Sequence, residues 1–157
     1  MLEDFKSHLL NELPFLFSSK IIIATSSGLD SVVLCSLCKK LDLDFSIAHC
    51  DFSLRGEESD IDAKFTEDFA KSLNVLFYQK KFNTKKYKTI NHLSIQMAAR
   101  ELRYKWFDKL LVNYDYVLTA HHLDDQLETF LINLSRGSGL IGLMGIPAIN
   151  DKKIRPL

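Results

Sequence analysis

The sequence predicts an α/β fold, a doubly wound parallel sheet with helices on both faces in three layers. Short apolar runs (Ile21-Ile22-Ile23-Ala24, Phe45-Ser46-Ile47-Ala48-His49, Val75-Leu76-Phe77-Tyr78 and Tyr116-Val117-Leu118-Thr119-Ala120) alternate with longer segments whose apolar residues recur every three or four positions. Parallel strands require such crossovers, and their fixed right hand distributes the helices over the sheet. The polar and unusual residues also concentrate in the segments that follow strands, 25–31, 49–56, 82–93 and 119–126. Open α/β sheets bind ligands at that edge.

The first element is read from Leu2, Phe5, Leu9 and Leu10, with Glu3 and Asp4 at its start. The acidic first turn makes this an amphipathic helix and not a signal peptide. A strand over Ile21 to Thr25 follows, then a helix from Asp30 to Lys40 carried by Val33, Leu34, Leu37, Cys38 and the adjoining Leu41. After the strand at 45–49, a helix is predicted from Glu57 to Leu73, with Ile61, Phe65, Phe69 and Leu73 on one stripe. The strand at 75–78 leads into a polar, basic segment of irregular pattern. Ser94 is an N-cap for a long helix holding Ile95, Ala98, Ala99, Leu102, Trp106, Leu110 and Leu111. Beyond the strand at 116–120, Leu127, Phe130, Leu131 and Leu134 mark another helix, ending at Gly137 ahead of a Gly-rich stretch to Pro147.

The chain of 157 residues is 46% hydrophobic and 25% charged, which fits one globular domain with a sizeable core. No apolar run approaches the length needed to span a bilayer, so no membrane is expected as a partner. Twenty basic and twenty acidic residues cancel, and the overall field gives no strong pull toward nucleic acid or an acidic surface. The charge is uneven locally. Lys80, Lys81, Lys85, Lys86 and Lys88 crowd a segment with Phe82 and Tyr87, which reads either as a solvated loop or as one that touches phosphates. Glu57, Glu58, Asp60, Asp62, Glu67 and Asp68 read as the solvated face of a helix. Cys35, Cys38 and Cys50 make no even disulfide set, so a reducing, cytoplasmic location is expected. Cys35 and Cys38 have CxxC spacing inside a helical pattern, where cysteine packs as a small hydrophobe.

The most informative segment is Ser26-Ser27-Gly28-Leu29-Asp30-Ser31, where the first strand passes into a helix. Such a turn leaves backbone N–H groups aimed at one point with the positive end of a helix dipole behind them, a place for an anion such as phosphate. The serine hydroxyls are added donors and Gly28 lets the backbone approach a ligand. Asp30 would repel a bare phosphate, and a shared Mg²⁺ removes that conflict. The hexapeptide alone equally supports a plain reading, with Ser26 as a cap and Asp30 complementing the dipole.

SSGLDS is similar to the SGGxDS signature of the PP-loop ATP pyrophosphatases. Three further segments resemble the tRNA(Ile)-lysidine synthetase branch of that superfamily: residues 49–60 (HCDFSLRGEESD), 94–104 (SIQMAARELRY) and 119–129 (TAHHLDDQLET), the last continuing through Arg136-Gly137-Ser138-Gly139. The match runs from Lys20 to the end in the family's order and spacing. Ser27 departs from it by standing where a glycine is expected, and Phe52 stands where many members have histidine.

The resemblance implies a Rossmann-like, adenine nucleotide alpha hydrolase-like domain over residues 1–157, cut short at its C-terminal end, with C-terminal tRNA-binding domains lying beyond this chain. It implies a ligase that uses ATP and Mg²⁺ to activate the C2 carbonyl of the wobble cytidine in the minor tRNA(Ile) with a CAU anticodon. L-lysine then displaces AMP to give lysidine, changing the specificity from methionine to isoleucine. Ser26, Ser27, Gly28, Leu29, Asp30 and Ser31 are implied to hold the ATP phosphates, with Arg55 and Arg136 as further cofactor-binding cations and Asp30 and Asp125 at the metal. Asp124, Asp125 and Glu128 are implied partners of metal or of the lysine ammonium, and His121 and His122 a proton shuttle or nucleotide contact. Away from a phosphate site, three carboxylates near a helix start read as dipole complements and two histidines as loop residues. Arg100 and Arg103 rank below Arg55 and Arg136, being helical, and Tyr104 and Trp106 read as packing residues. The rival readings are a PP-loop tRNA cytidine thiolase and a non-catalytic nucleotide-binding module.

Overall fold

The computed structural model describes residues 1–120 and 149–157. The β-branched run at Ile21–Ala24 forms β1, a central strand with Ile21, Ile22 and Ile23 wholly buried. It pairs in parallel with β2 (Phe45–Asp51) on one side and β4 (Tyr116–Thr119) on the other. Strand β3 (Phe77–Lys81) lies outside β2, and the short β6 (Lys153–Ile154) and β5 (Ile149–Asn150) lie outside β4, giving the order β3-β2-β1-β4-β6-β5. All pairings are parallel except that of β5 with β6. That antiparallel edge departs from the all-parallel expectation, because strands of two residues leave no periodic trace in a sequence.

The helices are α1 (Leu2–Glu12), α2 (Leu29–Lys40), α3 (Glu57–Ser72), α4 (Thr84–Asn91) and α5 (Ile95–Leu110), with a 3₁₀ turn at Pro14–Ser18. Alternation along the strands splits the core between the two faces of the sheet. Ile21, Ile23, Phe45, Ile47 and Leu118 pack under Leu34, Cys35, Leu37 and Cys38 of α2, Phe5 and Leu9 of α1, and Ala70 of α3. Ile22, Ala48 and Val117 pack under Phe107 of α5, with Tyr104 and Trp106 beside it in the packing roles expected of them. Each fully buried aliphatic side chain contributes about 1.5–3 kcal/mol of burial, so both faces are held mainly by apolar contact.

Three local expectations are revised. In α3 the buried face is Ala63, Thr66 and Ala70, and of the predicted stripe Ile61 and Phe65 are exposed. Small side chains let the helix lie close to the sheet, while Phe69 and Leu73 of the stripe pack against the core edge and the exposed Phe65 stacks on Phe69, with centroids 6.2 Å apart. β3 starts two residues later than predicted because Asn74 turns left-handed (φ 53°) and the Val75 N–H closes the end of α3 on the Ala70 carbonyl. The polar segment after β3 is helical in part. Asn83 caps α4 by accepting from the Lys86 N–H (3.0 Å), Thr84 Oγ1 donates to the Phe52 carbonyl (2.8 Å), and His92 ends it at φ 54°. The helix predicted around Leu127 to Leu134 lies outside the described residues.

Candidate active site

The order of the sheet fixes where a site can form. From β1 the chain steps outward to β2 and β3, then returns across β1 to β4, so the strand order reverses between β1 and β4. Crossovers leave in opposite directions there, and the carboxyl ends of the two strands open a crevice. The structure has a cleft of about 300 Å³ at this point, floored by Ala24 and Thr25 of the β1 end and by Thr119 and Ala120 of the β4 end. Small side chains at the strand ends keep it open.

One wall is the turn into α2. Ser26, Gly28, Asp30 and Ser31 line the cleft. The helical ladder begins only with the Val32 N–H to the Gly28 carbonyl (3.2 Å), so the first-turn amides at Leu29 and Ser31 have no intrahelical carbonyl. Ser31 is buried and braces the turn. Its Oγ donates to the Gly28 carbonyl (2.8 Å) and accepts from the Ser26 N–H (3.3 Å). Gly28 sits at φ −69°, ψ 155°, which any residue adopts, so its missing Cβ serves the approach of a ligand and not the backbone. At the base of the turn, His49 Nδ1–H donates to the Thr25 carbonyl (2.9 Å), which assigns the tautomer. The donors and dipole of this wall suit an anion.

The opposite wall comes from β2 and α5: Ala48, Cys50, Phe52, Arg103 and Phe107. The Arg103 guanidinium lies over the Phe52 ring, 5.3 Å from its centroid, and Phe52 stacks on Phe82 (5.6 Å). Phe52 thereby holds a cation at the cleft in addition to shaping it. Burial pushes the Cys50 thiol up to about 12, with Arg103 opposing, so it stays protonated near neutral pH.

The structure thus gathers Ser26, Gly28, Asp30 and Ser31 as anticipated. Ser27 and Leu29 turn away from the cleft. Leu29 is exposed, and the Ser27 hydroxyl is committed to the Ser26 carbonyl and the Asp62 carboxylate. Arg55 is exposed and outside the cleft lining, whereas Arg103, ranked lower from its helical setting, is inside it. The signal for Arg103 was its place one turn before Phe107, which α5 buries against the sheet. His121, His122, Asp124, Asp125, Glu128 and Arg136 lie outside the described residues. Among the described residues no group of three or more His, Cys, Asp or Glu side chains is arranged to hold a metal, and Asp30 is the carboxylate that lines the cleft.

The family model of the PP-loop domain matches the chain over residues 1–157. The chain belongs to the PP-loop domain family. This PP-loop domain is 45% identical over 140 residues to the tRNA(Ile)-lysidine synthase of Porphyromonas gingivalis strain W83, an alignment covering 87% of this chain and 31% of that protein. It is 42% identical over 145 residues to the tRNA(Ile)-lysidine synthase of Bacteroides thetaiotaomicron, covering 91% of this chain and 34% of that protein. The chain therefore spans about a third of the length of the curated relatives it matches. Its backbone is similar to that of the U34-tRNA thiolase NcsA of Methanococcus maripaludis, solved with its 4Fe-4S cluster, with a TM-score of 0.73 at 19% identity over 99% of this chain and 58% of that one. That likeness shows the PP-loop fold. Among the described residues no helix is long and apolar enough to cross a membrane.

Proposed function

We propose that this PP-loop domain is the catalytic part of a cytoplasmic tRNA(Ile)-lysidine synthetase, joining L-lysine to C2 of the wobble cytidine of the minor tRNA(Ile) with a CAU anticodon. The observation that carries the reading is the turn of Ser26, Gly28, Asp30 and Ser31, which lines a cleft at the sheet's switch point where α2 begins. The names of the relatives supply the substrate class.

In this reading the ATP phosphates lie against the turn, where Gly28 and the α2 dipole favour them, and the base enters between the strand ends and Phe52. The cytidine C2 oxygen attacks the α-phosphorus and pyrophosphate leaves. The lysine amine then attacks C2, expelling AMP and losing a proton. Mg²⁺, when bound, neutralises the charge of the pyrophosphate group. Asp30 suits it as a carboxylate in the cleft, and Asp125 is its proposed second ligand. Arg103, with Arg55 and Arg136 as the other candidate cations, offsets charge developing at phosphorus. Ser27 and Leu29 hold the turn's shape from outside. Asp124 and Glu128 bind the lysine ammonium, and His121 or His122 accepts the amine proton.

The thiolase reading gains nothing from the described residues. A cluster needs several thiolates, but burial raises the thiols of Cys35, to about 11, and Cys38 in the core under α2, and Cys50 is alone at the cleft. The deciding experiment incubates the chain with ATP, Mg²⁺, L-lysine and the minor tRNA(Ile), and follows AMP, pyrophosphate and lysidine by chromatography and mass spectrometry. Lysine-dependent product is expected, and its loss in Asp30→Asn with an unchanged circular dichroism spectrum. Full turnover in that variant would overturn the assignment of Asp30. Pyrophosphate release without lysine or tRNA dependence would overturn the substrate assignment.

A further inference from the structure

The lysine-rich segment after β3 reads from sequence either as a solvated loop or as a phosphate contact, and in the structure much of it forms helix α4. An open depression of about 420 Å³ lies between the end of β3 and the start of α4, lined by Ser53, Lys81, Phe82, Asn83, Thr84 and Lys85. It adjoins the cleft directly. Phe52 lines the cleft and the next residue, Ser53, lines the depression, while Thr84 Oγ1 donates to the Phe52 carbonyl (2.8 Å). The two concavities therefore share a wall built from consecutive residues.

The charges beside it are not arranged for stability. The first turn of α4 holds no acidic residue and carries Lys85 and Lys86, cations at the end of a helix where the dipole disfavours them. Lys80, Lys85, Lys86 and Lys88 are exposed and make no ion pair among the described residues. Of this group only Lys81 is neutralised, by Asp60 (3.0 Å) and the buried Asp51 (3.4 Å), which fixes its position at the lip of the depression. Tyr87 anchors the helix to α5 by donating to Glu101 Oε2 (2.8 Å), so these lysines are displayed on a docked helix and not on a loose loop. Uncompensated cations, a serine and an asparagine around a concavity are what a chain of phosphodiesters recognises.

We propose that this surface, Ser53 and Lys85 with Lys86 and Lys88 flanking and the paired Lys81 at its lip, binds the phosphate backbone of an RNA strand whose base is presented to the adjoining cleft. The inference rests on the reading of the cleft as an RNA-modifying site, and extends it by saying which face of a chain with zero net charge holds the RNA.

The test measures binding of the 157-residue chain to a labelled anticodon stem-loop RNA by fluorescence anisotropy at several salt concentrations between about 50 and 200 mM. Lys85→Gln/Lys86→Gln/Lys88→Gln is compared with Lys39→Gln/Lys40→Gln at the far end of α2. The first variant is expected to bind about tenfold or more weakly and to lower the slope of log Kd against log salt by about 2, and the second to match the unmodified chain. The Tm of the triple variant is expected to hold, because Lys85 and Lys86 leave the first turn of α4, where the dipole disfavours cations, while Lys88 leaves its last turn, where it favours them. A purely structural role for these lysines predicts the opposite. Unchanged affinity and slope, no RNA binding by the unmodified chain at the lowest salt, or stronger binding to vesicles containing phosphatidylserine than to RNA would each overturn the proposal. Lysidine formation assayed on the same proteins keeps the two readings apart. Product made by the triple variant at undiminished RNA affinity removes this surface alone, and lysine-sensitive RNA binding without product removes the catalytic reading alone.

Discussion

Ser27 Oγ lies 2.8 Å from Asp62 Oδ1, tying the turn at the head of α2 to the first half of α3. The single hydroxyl proton is shared between that carboxylate and the Ser26 carbonyl. Ser27 also stands at φ 64°, a left-handed backbone that a side chain makes unfavourable by about 1 kcal/mol. A serine where relatives of this kind are expected to carry glycine therefore loses backbone freedom and gains a cross-link, two effects of similar size.

Three substitutions separate those effects. Ser27→Ala keeps the strain and loses the link, and should destabilise by about 1 kcal/mol. Ser27→Gly loses both and should fall within about 0.5 kcal/mol of the unmodified chain. Asp62→Ala should cost about 1 kcal/mol in the serine background and nothing further in Ser27→Gly. Urea unfolding of these five proteins closes the cycle, and purely additive values for Ser27→Gly and Asp62→Ala would mean that the contact carries no energy.

Gly28 makes the complementary case. Its backbone is ordinary, and a Cβ there would meet only the Ser26 side chain, at 3.3 Å. Gly28→Ala should change stability by no more than about 1 kcal/mol. The added methyl enters the cleft, so ATP should bind at least tenfold more weakly, about 1.4 kcal/mol or more. Calorimetric titration with Mg-ATP alongside a thermal melt checks the pair of values; a variant that binds ATP normally would show that the phosphates do not approach this backbone.

What could be read from the sequence follows from what leaves a periodic trace. β1, β2, β4 and helices α2 and α5 were legible because burial on one or both faces dictates their apolar spacing. Helix α4 was not, since Thr84 is its one buried residue and its hold on Phe52 is a single polar contact. The stripe of α3 held at Phe69 and Leu73, which pack against the core, and failed at Ile61 and Phe65, because four-residue spacing looks the same where a helix leaves the sheet. In the site, the turn at 26–31 was legible because its chemistry is local. Arg103 ranks too low from sequence because α5 reaches the cleft only through the return of the chain across β1, a non-local consequence of strand order, and Cys50 is not singled out because its place on β2 beside β1 leaves no local chemical signal.

Asp51 has a wholly buried side chain. Its Oδ1 accepts from the Ser53 N–H (2.7 Å), but Oδ2 has no hydrogen-bond partner and only Lys81 Nζ at 3.4 Å. The Lys81 ammonium is held above its ordinary range, first by its hydrogen bond to Asp60 and then by the Asp60 and Asp51 charges. Lys81→Met should leave a buried carboxylate uncompensated and lower Tm by several degrees. Asp51→Asn in the same chain should recover part of the loss, because an amide keeps the acceptor for Ser53 and removes the charge. Asp51→Asn failing to help the Lys81→Met protein would show that Lys81 acts through Asp60 alone.

Buried Cys35 and half-buried Cys50 bear on how stability responds to alkali. Burial raises Cys35 to about 11 and Cys50 to about 12 from an ordinary value of 9.0. Below pH 9 both the folded and unfolded chains keep these protons, and the stabilisation is complete. From pH 9 upward the unfolded chain releases them first and binds fewer protons than the folded one, so unfolding becomes more favourable until the folded thiols titrate. Each thiol can contribute a decline of up to about 1.4 kcal/mol per pH unit in that window. Tyrosines and lysines of the unfolded chain also lose protons in that range, so the comparison must be a difference. Between pH 8 and pH 10, Cys50→Ala should lose less stability in urea than the unmodified chain, and at pH 8 the half-buried Cys50 thiol should react with a disulfide reagent more slowly than in the unfolded chain, while buried Cys35 should react only as fast as the chain opens. Rapid labelling of Cys50 in the folded state would mean that the wall of Phe52, Arg103 and Phe107 does not close over it, and the alkaline difference should then vanish as well.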